Sequence, residues 1–311
     1  MLQNELHVIF GTGALGKWTA RELINLGKQV RVISHSGKSD SRLPDGVEVV
    51  QGDAYDATHN IEVTKGAEAV YQCAQPQYHE WAEKFPPMQK AILDAVSANG
   101  AKFIVGDNLY MYGDTNGQPI HEDMPYQAHT KKGKVRGEMS IAVMKAHRAG
   151  KVRVAIGRAS NFFGPDDNAV TSYAIRPALA GKSINLLGST DQLHTFSYVA
   201  DFGKLLATLG TREEALGQIW FTPSPEPVTQ VELVKIMEGV LGRKVKFMAA
   251  GKVMLRMLGL FMPTLRESVE MLYEWDKPFI MDSSKAQKAF GLQPTSLKDA
   301  MQATIEWCKE M

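Results

Sequence analysis

In the first half of the chain, short apolar runs alternate with helical stripes. Leu6–Phe10 is an apolar run of strand length, and a glycine-rich turn follows it. Leu15, Trp18, Thr19, Leu23 and Leu26 then recur at helical spacing, with Gly27 as a suitable stop. Val30–Ile33, Val47–Val50 and Ala69–Cys73 read as the second to fourth strands. A helix over about Pro87–Ala98, stopped by Asn99-Gly100, leads to a fifth strand at Phe103–Val105. A helix over about Val135–Ala149 leads to a sixth at Val152–Ile156. This alternation predicts βαβ units and a parallel sheet.

After Arg158 the rhythm breaks. Gly164-Pro165, Gly181 and Gly188 mark loops, and Phe196–Val199 is expected to return to the sheet as a further strand. Pro223, Pro225 and Pro227 make a bend before a helix opened by a capping box, Thr229 with Glu232. Thr264 with Glu267 and Ser296 with Asp299 mark two more helix starts. Behind the last, Leu297, Ala300, Met301, Thr304, Ile305 and Cys308 form one apolar stripe. The Met-rich run Val253–Met262 reads as core; it is too short to span a membrane and contains Arg256.

Composition narrows the classes of function. The 311 residues are 44% apolar and 22% charged, ordinary for a globular fold. A net charge of +1 gives no support for nucleic acid or an anionic membrane as partner. The two cysteines, Cys73 and Cys308, lack Cys-x-x-Cys spacing, so neither a disulfide framework nor a metal site is expected. No His-Glu-x-x-His motif occurs. With no leader visible ahead of the first strand, a cytoplasmic location is expected.

The turn after the first strand carries the clearest chemistry. Gly11-Thr12-Gly13-Ala14-Leu15-Gly16 is a Gly-x-Gly-x-x-Gly motif that follows a strand and opens a helix, the context a dinucleotide fingerprint requires. Gly11 permits the tight turn, Gly13 lets the backbone approach a pyrophosphate, and Gly16 lets helix and strand pack closely. The second strand ends in Ile33-Ser34-His35-Ser36-Gly37-Lys38, with no carboxylate between Glu22 and Asp40. Ser34, His35, Ser36 and Lys38 suit a 2′-phosphate, so NADP is expected over NAD.

From this turn onward the chain resembles the short-chain dehydrogenase/reductase superfamily, in its extended or atypical branch of NAD-dependent epimerase/dehydratase-like proteins. Gly52-Asp53-Ala54 is similar to the segment that binds adenine, and Ala74-Gln75-Pro76 falls beside the cofactor. Asn108–Gly113 resembles Ser-x-x-Val-Tyr-Gly, and Pro119–Pro125 resembles Pro-x-x-Glu-x-x-Pro. Arg158 through Asn161–Pro165 resembles Arg-x-x-Asn-x-Tyr-Gly-Pro. His194–Asp201 and Asp282–Pro294 resemble the later segments.

The resemblance implies cofactor contacts at Gly11, Thr12, Gly13, Ala14, Leu15, Gly16, Ser34, His35, Ser36, Lys38, Asp53, Ala54, Ala74, Gln75 and Lys134. It also implies a Ser, Tyr and Lys catalytic set, the last two spaced Tyr-x-x-x-Lys. Here the chain departs from the pattern. Asn108 stands at the serine position, and aligning Lys134 with Glu138 puts Thr130 at the tyrosine position. A second register, on Lys132, puts Ala128 there. The catalytic candidates are thus Asn108, Thr130, Lys134 and Tyr110, with Tyr112 or Tyr126 as substitutes, while Tyr273 and Lys277 read as an accidental Tyr-x-x-x-Lys. The cations Lys131, Lys132, Lys134 and Arg136 read either as an anion site or as a solvated helix start.

The fold expected is α/β: a Rossmann-type doubly wound parallel sheet with a smaller, mostly helical C-terminal substrate lobe. Residues 1–160 with 193–222 form the dinucleotide domain, and 161–192 with 223–311 the lobe. The expected function is an NADP-dependent reductase, epimerase or dehydratase-like enzyme acting on a small carbonyl or hydroxyl compound. The alternative is a dinucleotide-binding sensor with little turnover. The expected partner is a small-molecule substrate, and homodimerisation is left open.

Overall fold

Six of the short apolar runs form the first six strands of the computed structural model, which describes residues 5–167, 170–250 and 269–311. They are β1 (Leu6–Phe10), β2 (Gln29–Ser34), β3 (Glu48–Gln51), β4 (Ala67–Gln72), β5 (Lys102–Asp107) and β6 (Arg153–Arg158). Strands β7 (Phe162–Phe163), β8 (Ile184–Leu187) and β9 (Ser197–Tyr198) lie outside that sheet, and β10 (Ile219–Phe221) completes it. The sheet runs β10-β6-β5-β4-β1-β2-β3 with every pairing parallel. Strand order reverses at β1, so a crevice forms beyond its C-terminal end, where open α/β sheets bind ligands.

The strands are apolar on both faces because helices cover both. Helices α1 (Ala14–Asn25), α2 (Ala57–Val63), α3 (Trp81–Asn99), α4 (Lys131–Arg148), α5 (Arg176–Leu179) and α6 (Val199–Thr211) follow in order. Val8 and Phe10 pack with Phe85, Ile92 and Val143 from α3 and α4, while Ile9 packs with Leu23, Leu205 and Leu209 from α1 and α6. Successive residues of one strand therefore feed two cores.

The remaining α-helices and strands among the described residues are α7 (Gln230–Leu241), β11 (Phe247–Ala250), α8 (Tyr273–Asp276), α9 (Ser284–Phe290) and α10 (Leu297–Glu310). Leu233, Met237, Leu297, Met301 and Ile305 form a third core with Ile175 and Ile184. The capping box of Thr229 and Glu232 is present, and the Ser296 side chain accepts from the Asp299 N–H.

Three boundaries differ from the sequence reading. Phe196–Val199 does not return to the main sheet: Ser197 and Tyr198 pair with β7, and the seventh strand is the three-residue Ile219–Phe221. Helix α3 begins at Trp81, because its second turn accommodates Pro86 and Pro87. Helix α4 begins at Lys131, where Thr130 caps it. The readings on Val253–Met262 and on Thr264 with Glu267 lie outside the described residues. Among the described residues no helix is long and apolar enough to cross a membrane.

Candidate active site

A cleft of about 900 Å³ opens at the C-terminal ends of the strands. Its first wall is the glycine turn. Gly11 has φ +113°, and a Cβ there would lie 2.7 Å from the Ala74 backbone N, so both conformation and space demand glycine. At Gly16 a Cβ would lie 2.0 Å from the Gly11 carbonyl oxygen, which is the close helix–strand packing expected. Gly13 differs from both: a Cβ there would meet nothing within 4 Å. It faces open cleft at the N-cap of α1, with no side-chain cap and no acid in the first turn. The N–H groups of an uncapped helix start, beside open space at Gly13, fit a pyrophosphate.

Thr12, Ala14 and Leu15 line the same cleft, as do Asp53, Ala54, Ala74 and Gln75. Ser34 and His35 line it at the end of β2. The Ser34 hydroxyl accepts the Gly37 N–H at 3.0 Å. Gly16, Ser36 and Lys38 are not part of the lining, and Ser36 and Lys38 are exposed. The next acid, Asp40, lies 2.8 Å from Arg42 and 2.6 Å from Lys17, and these hydrogen bonds hold its carboxyl well below the usual range.

The α4 side corrects the sequence reading. The Thr130 hydroxyl is buried and accepts the Gly133 N–H at 3.1 Å, closing the helix rather than facing the cleft. Lys134 is exposed and forms no part of the cleft wall. Lys132 and Arg136, four residues apart, occupy the buried face instead. Lys132 lies 3.0 Å from Glu270 and 4.6 Å over the Tyr78 ring. Arg136 lines the cleft, donates from Nε to Asp107 at 2.8 Å and stacks 4.2 Å over Phe85, and its Nη1 is buried without a partner among the described residues. The cationic run is thus split, with Lys131 and Lys134 solvated and the other two buried.

Asn108 and Tyr110 line the cleft, and the Asn108 side-chain oxygen accepts the Tyr110 N–H at 3.1 Å. Burial, followed by the nearby Tyr78 and Glu274, pushes the Tyr110 phenol well above its ordinary range. Tyr112 and Tyr126 are occupied elsewhere. Arg158, fully buried, donates to their hydroxyls at 2.5 and 2.6 Å and to Asp107 at 3.3 Å. Tyr273 is not part of the lining, and Lys277 pairs with Asp114 at 2.6 Å, so these two form no catalytic couple.

The opposite wall holds groups the sequence reading did not choose: Ser160, Asn161 and Glu274. Asn161 and His194 sit in family-like segments, whereas Glu274 carries no motif. The Asn161 amide donates to Glu274 Oε2 at 3.2 Å and to His194 Nε2 at 3.1 Å. His194 Nδ1 in turn donates to the Glu274 carbonyl at 3.2 Å. Burial pushes His194 down to about 3, so the ring is neutral, and it stacks on Trp275 at 4.2 Å. Glu274 is 2% exposed, and burial raises its carboxyl to about 8 against the Asn161 hydrogen bond.

The model of the NAD dependent epimerase/dehydratase family matches residues 8–220. The chain belongs to this family. The epimerase/dehydratase family is the extended short-chain dehydrogenase/reductase branch that the ordered segments suggested. The chain is 23% identical over 312 residues to the 3beta-hydroxysteroid-dehydrogenase/decarboxylase isoform 2 of Arabidopsis thaliana, covering 87% of this chain and 54% of that protein. It spans about half the length of the curated relatives it matches. It superposes on UDP-glucuronic acid 4-epimerase from Bacillus cereus, solved with NAD, at a TM-score of 0.79 and 18% identity, covering 98% of this chain and 97% of that one. DesIV, a dTDP-glucose 4,6-dehydratase from Streptomyces venezuelae solved with NAD and TYD, gives 0.80 and 17% over the same shares. At these identities the likeness is one of fold.

Proposed function

We propose that the chain is an NADP-dependent oxidoreductase of the epimerase/dehydratase family that acts on a small carbonyl or hydroxyl compound. The observation that carries this reading is the content of one cleft. It joins the glycine cradle to a wall with three buried polar atoms that lack partners among the described residues: Arg136 Nη1, Ser160 Oγ and Glu274 Oε1. Each such atom costs about 1–3 kcal/mol unless a ligand satisfies it. A polar substrate beside the cofactor does so.

The turn from Gly11 to Leu15 would hold the pyrophosphate, and Asp53 and Ala54 would lie at the adenine side. Ser34 and His35, with Lys38 at the rim, would meet a 2′-phosphate. Arg136 and Asn108, rather than Lys134, would donate to the nicotinamide ribose or to a substrate oxygen. When bound, the nicotinamide supplies or accepts a hydride. Several solved neighbours were crystallised with NAD and one of these also with UDP-glucuronic acid, so sugar nucleotides belong among the substrates tried.

The sensor reading has one observation in its favour. The two buried-face positions of α4, spaced like the family's Tyr-x-x-x-Lys, hold Lys132 and Arg136, and both make ion pairs. Turnover separates the two readings. The enzyme oxidises NADPH, followed by absorbance, with at least one member of a panel of aldehydes, ketones and sugar nucleotides. A chain that binds NADPH, leaves it unoxidised across the panel and converts none of the sugar nucleotides to a product is a sensor.

A further inference from the structure

We propose that Glu274, carried by α8 into the cleft, is the acid–base residue that gives a proton to the substrate oxygen and takes it back. This rests on the oxidoreductase reading and supplies the proton donor that reading lacks.

The candidates drawn from the sequence are either bound elsewhere or poorly suited to give up a proton. Thr130 caps α4, and Tyr112 and Tyr126 are bound to Arg158. An arginine does not release its proton near neutral pH, which removes Arg136. Tyr110 does line the cleft, but its burial makes the phenol a weaker acid than usual.

Glu274 is both available and held. It lines the same cleft as the glycine turn, is 2% exposed, and its Oε1 has no partner among the described residues. Oε2 accepts the Asn161 N–H, so the carboxyl proton belongs on Oε1, the oxygen left free for a ligand. The support behind it is fixed in direction. Neutral His194 donates through Nδ1 to the Glu274 carbonyl, so its Nε2 must accept, and only the amide nitrogen of Asn161 can donate there. That turns the Asn161 NH₂ group toward both His194 and Glu274, and the Trp275 ring holds the imidazole in place.

Among the described residues, the titratable groups that interact with Glu274 are Tyr110, Tyr273 and His194, all neutral near neutral pH. Burial therefore dominates and raises its carboxyl to about 8, so it is protonated at neutral pH yet close enough to cycle. In the reducing direction the substrate carbon accepts hydride from the reduced nicotinamide. The carbonyl π pair moves to oxygen, and that oxygen takes the proton from Oε1. An alcohol and a Glu274 carboxylate result, with the nicotinamide oxidised. Asn161 stabilises the carboxylate, and solvent returns its proton.

The test uses the full chain and three forms: wild type, Glu274→Gln and Asn161→Ala. Glu274→Gln keeps shape and polarity and removes the acid. It should cut NADPH-dependent turnover by about 10²–10⁴ with NADPH affinity unchanged. The infrared difference between wild type and Glu274→Gln at neutral pH should contain the carbonyl stretch of a protonated carboxyl. That band should convert to carboxylate as pH rises through about 8. Reductive kcat/KM should fall over the same range, since the acid must be protonated to donate. Asn161→Ala removes the donor that favours the charged form, so this limb should move to higher pH. Turnover preserved in Glu274→Gln, an ionised carboxyl at neutral pH, or an unmoved limb in Asn161→Ala overturns the proposal while leaving the oxidoreductase reading intact. A wild type inactive on every carbonyl overturns that reading, and the role of Glu274 with it.

Discussion

The three motif glycines show how one residue type answers three different demands. Gly11 is required by its backbone angle, Gly16 by a neighbouring carbonyl, and Gly13 by nothing in the protein itself. A side chain at Gly13 extends only into the cleft. Gly13→Val should therefore fold with an unchanged melting temperature and lose NADPH binding, followed by the fluorescence of the bound cofactor. Gly16→Val should instead destabilise the chain, because its Cβ would lie 2.0 Å from the Gly11 oxygen and helix and strand must separate. Equal behaviour of the two variants, in melting and in binding, would remove the distinction between cradle and packing. Much of this was legible in the sequence, since a glycine motif between a strand and a helix has few other uses. Glu274 was not legible. Its character comes from burial and from Asn161 and His194, which the fold brings to it across 113 and 80 positions of sequence.

At the scale of an element, α4 is the instructive case. Its mixed sequence gave no apolar stripe strong enough to fix which cations turn inward, and the register was set from Glu138, which is exposed. Capping by Thr130 fixes the start of the helix and hence its rotation, which turns Lys132 and Arg136 inward. Lys134→Ala should accordingly leave NADPH affinity and turnover unchanged. Arg136→Lys, which keeps the charge but loses the planar fork, should lower kcat/KM by about tenfold or more. Thr130→Ala should cost about 1 kcal/mol of stability, read by denaturant melts, with turnover retained. A loss of cofactor binding in Lys134→Ala would show that the face is inverted. The strands were easier to read than this helix, because a strand buried on both faces is a plain apolar run. Within the main sheet the strand not anticipated was β10, whose three residues are too few to carry a pattern.

For the whole molecule, the strand reversal at β1 brings the glycine turn, the β2 end and the Glu274 wall to one cleft. The alternation of strands and helices was enough to anticipate the parallel sheet. The composition of the cleft was not, because its far wall is assembled from β6, α8 and the loops between them. A dinucleotide in that cleft would, on the proposed function, set its 2′-phosphate at Ser34, His35 and Lys38, where the nearby Asp40 is already bound by Lys17 and Arg42. The most direct measurement is a calorimetric titration of the full chain with NADPH and with NADH at low and high salt. At low salt NADPH should bind one site per chain, about tenfold or more tighter than NADH, as one charge-assisted hydrogen bond provides. Added salt should narrow the gap by screening. Tighter binding of NADH would contradict the assignment of the β2 end, and no binding of either would contradict the account as a whole.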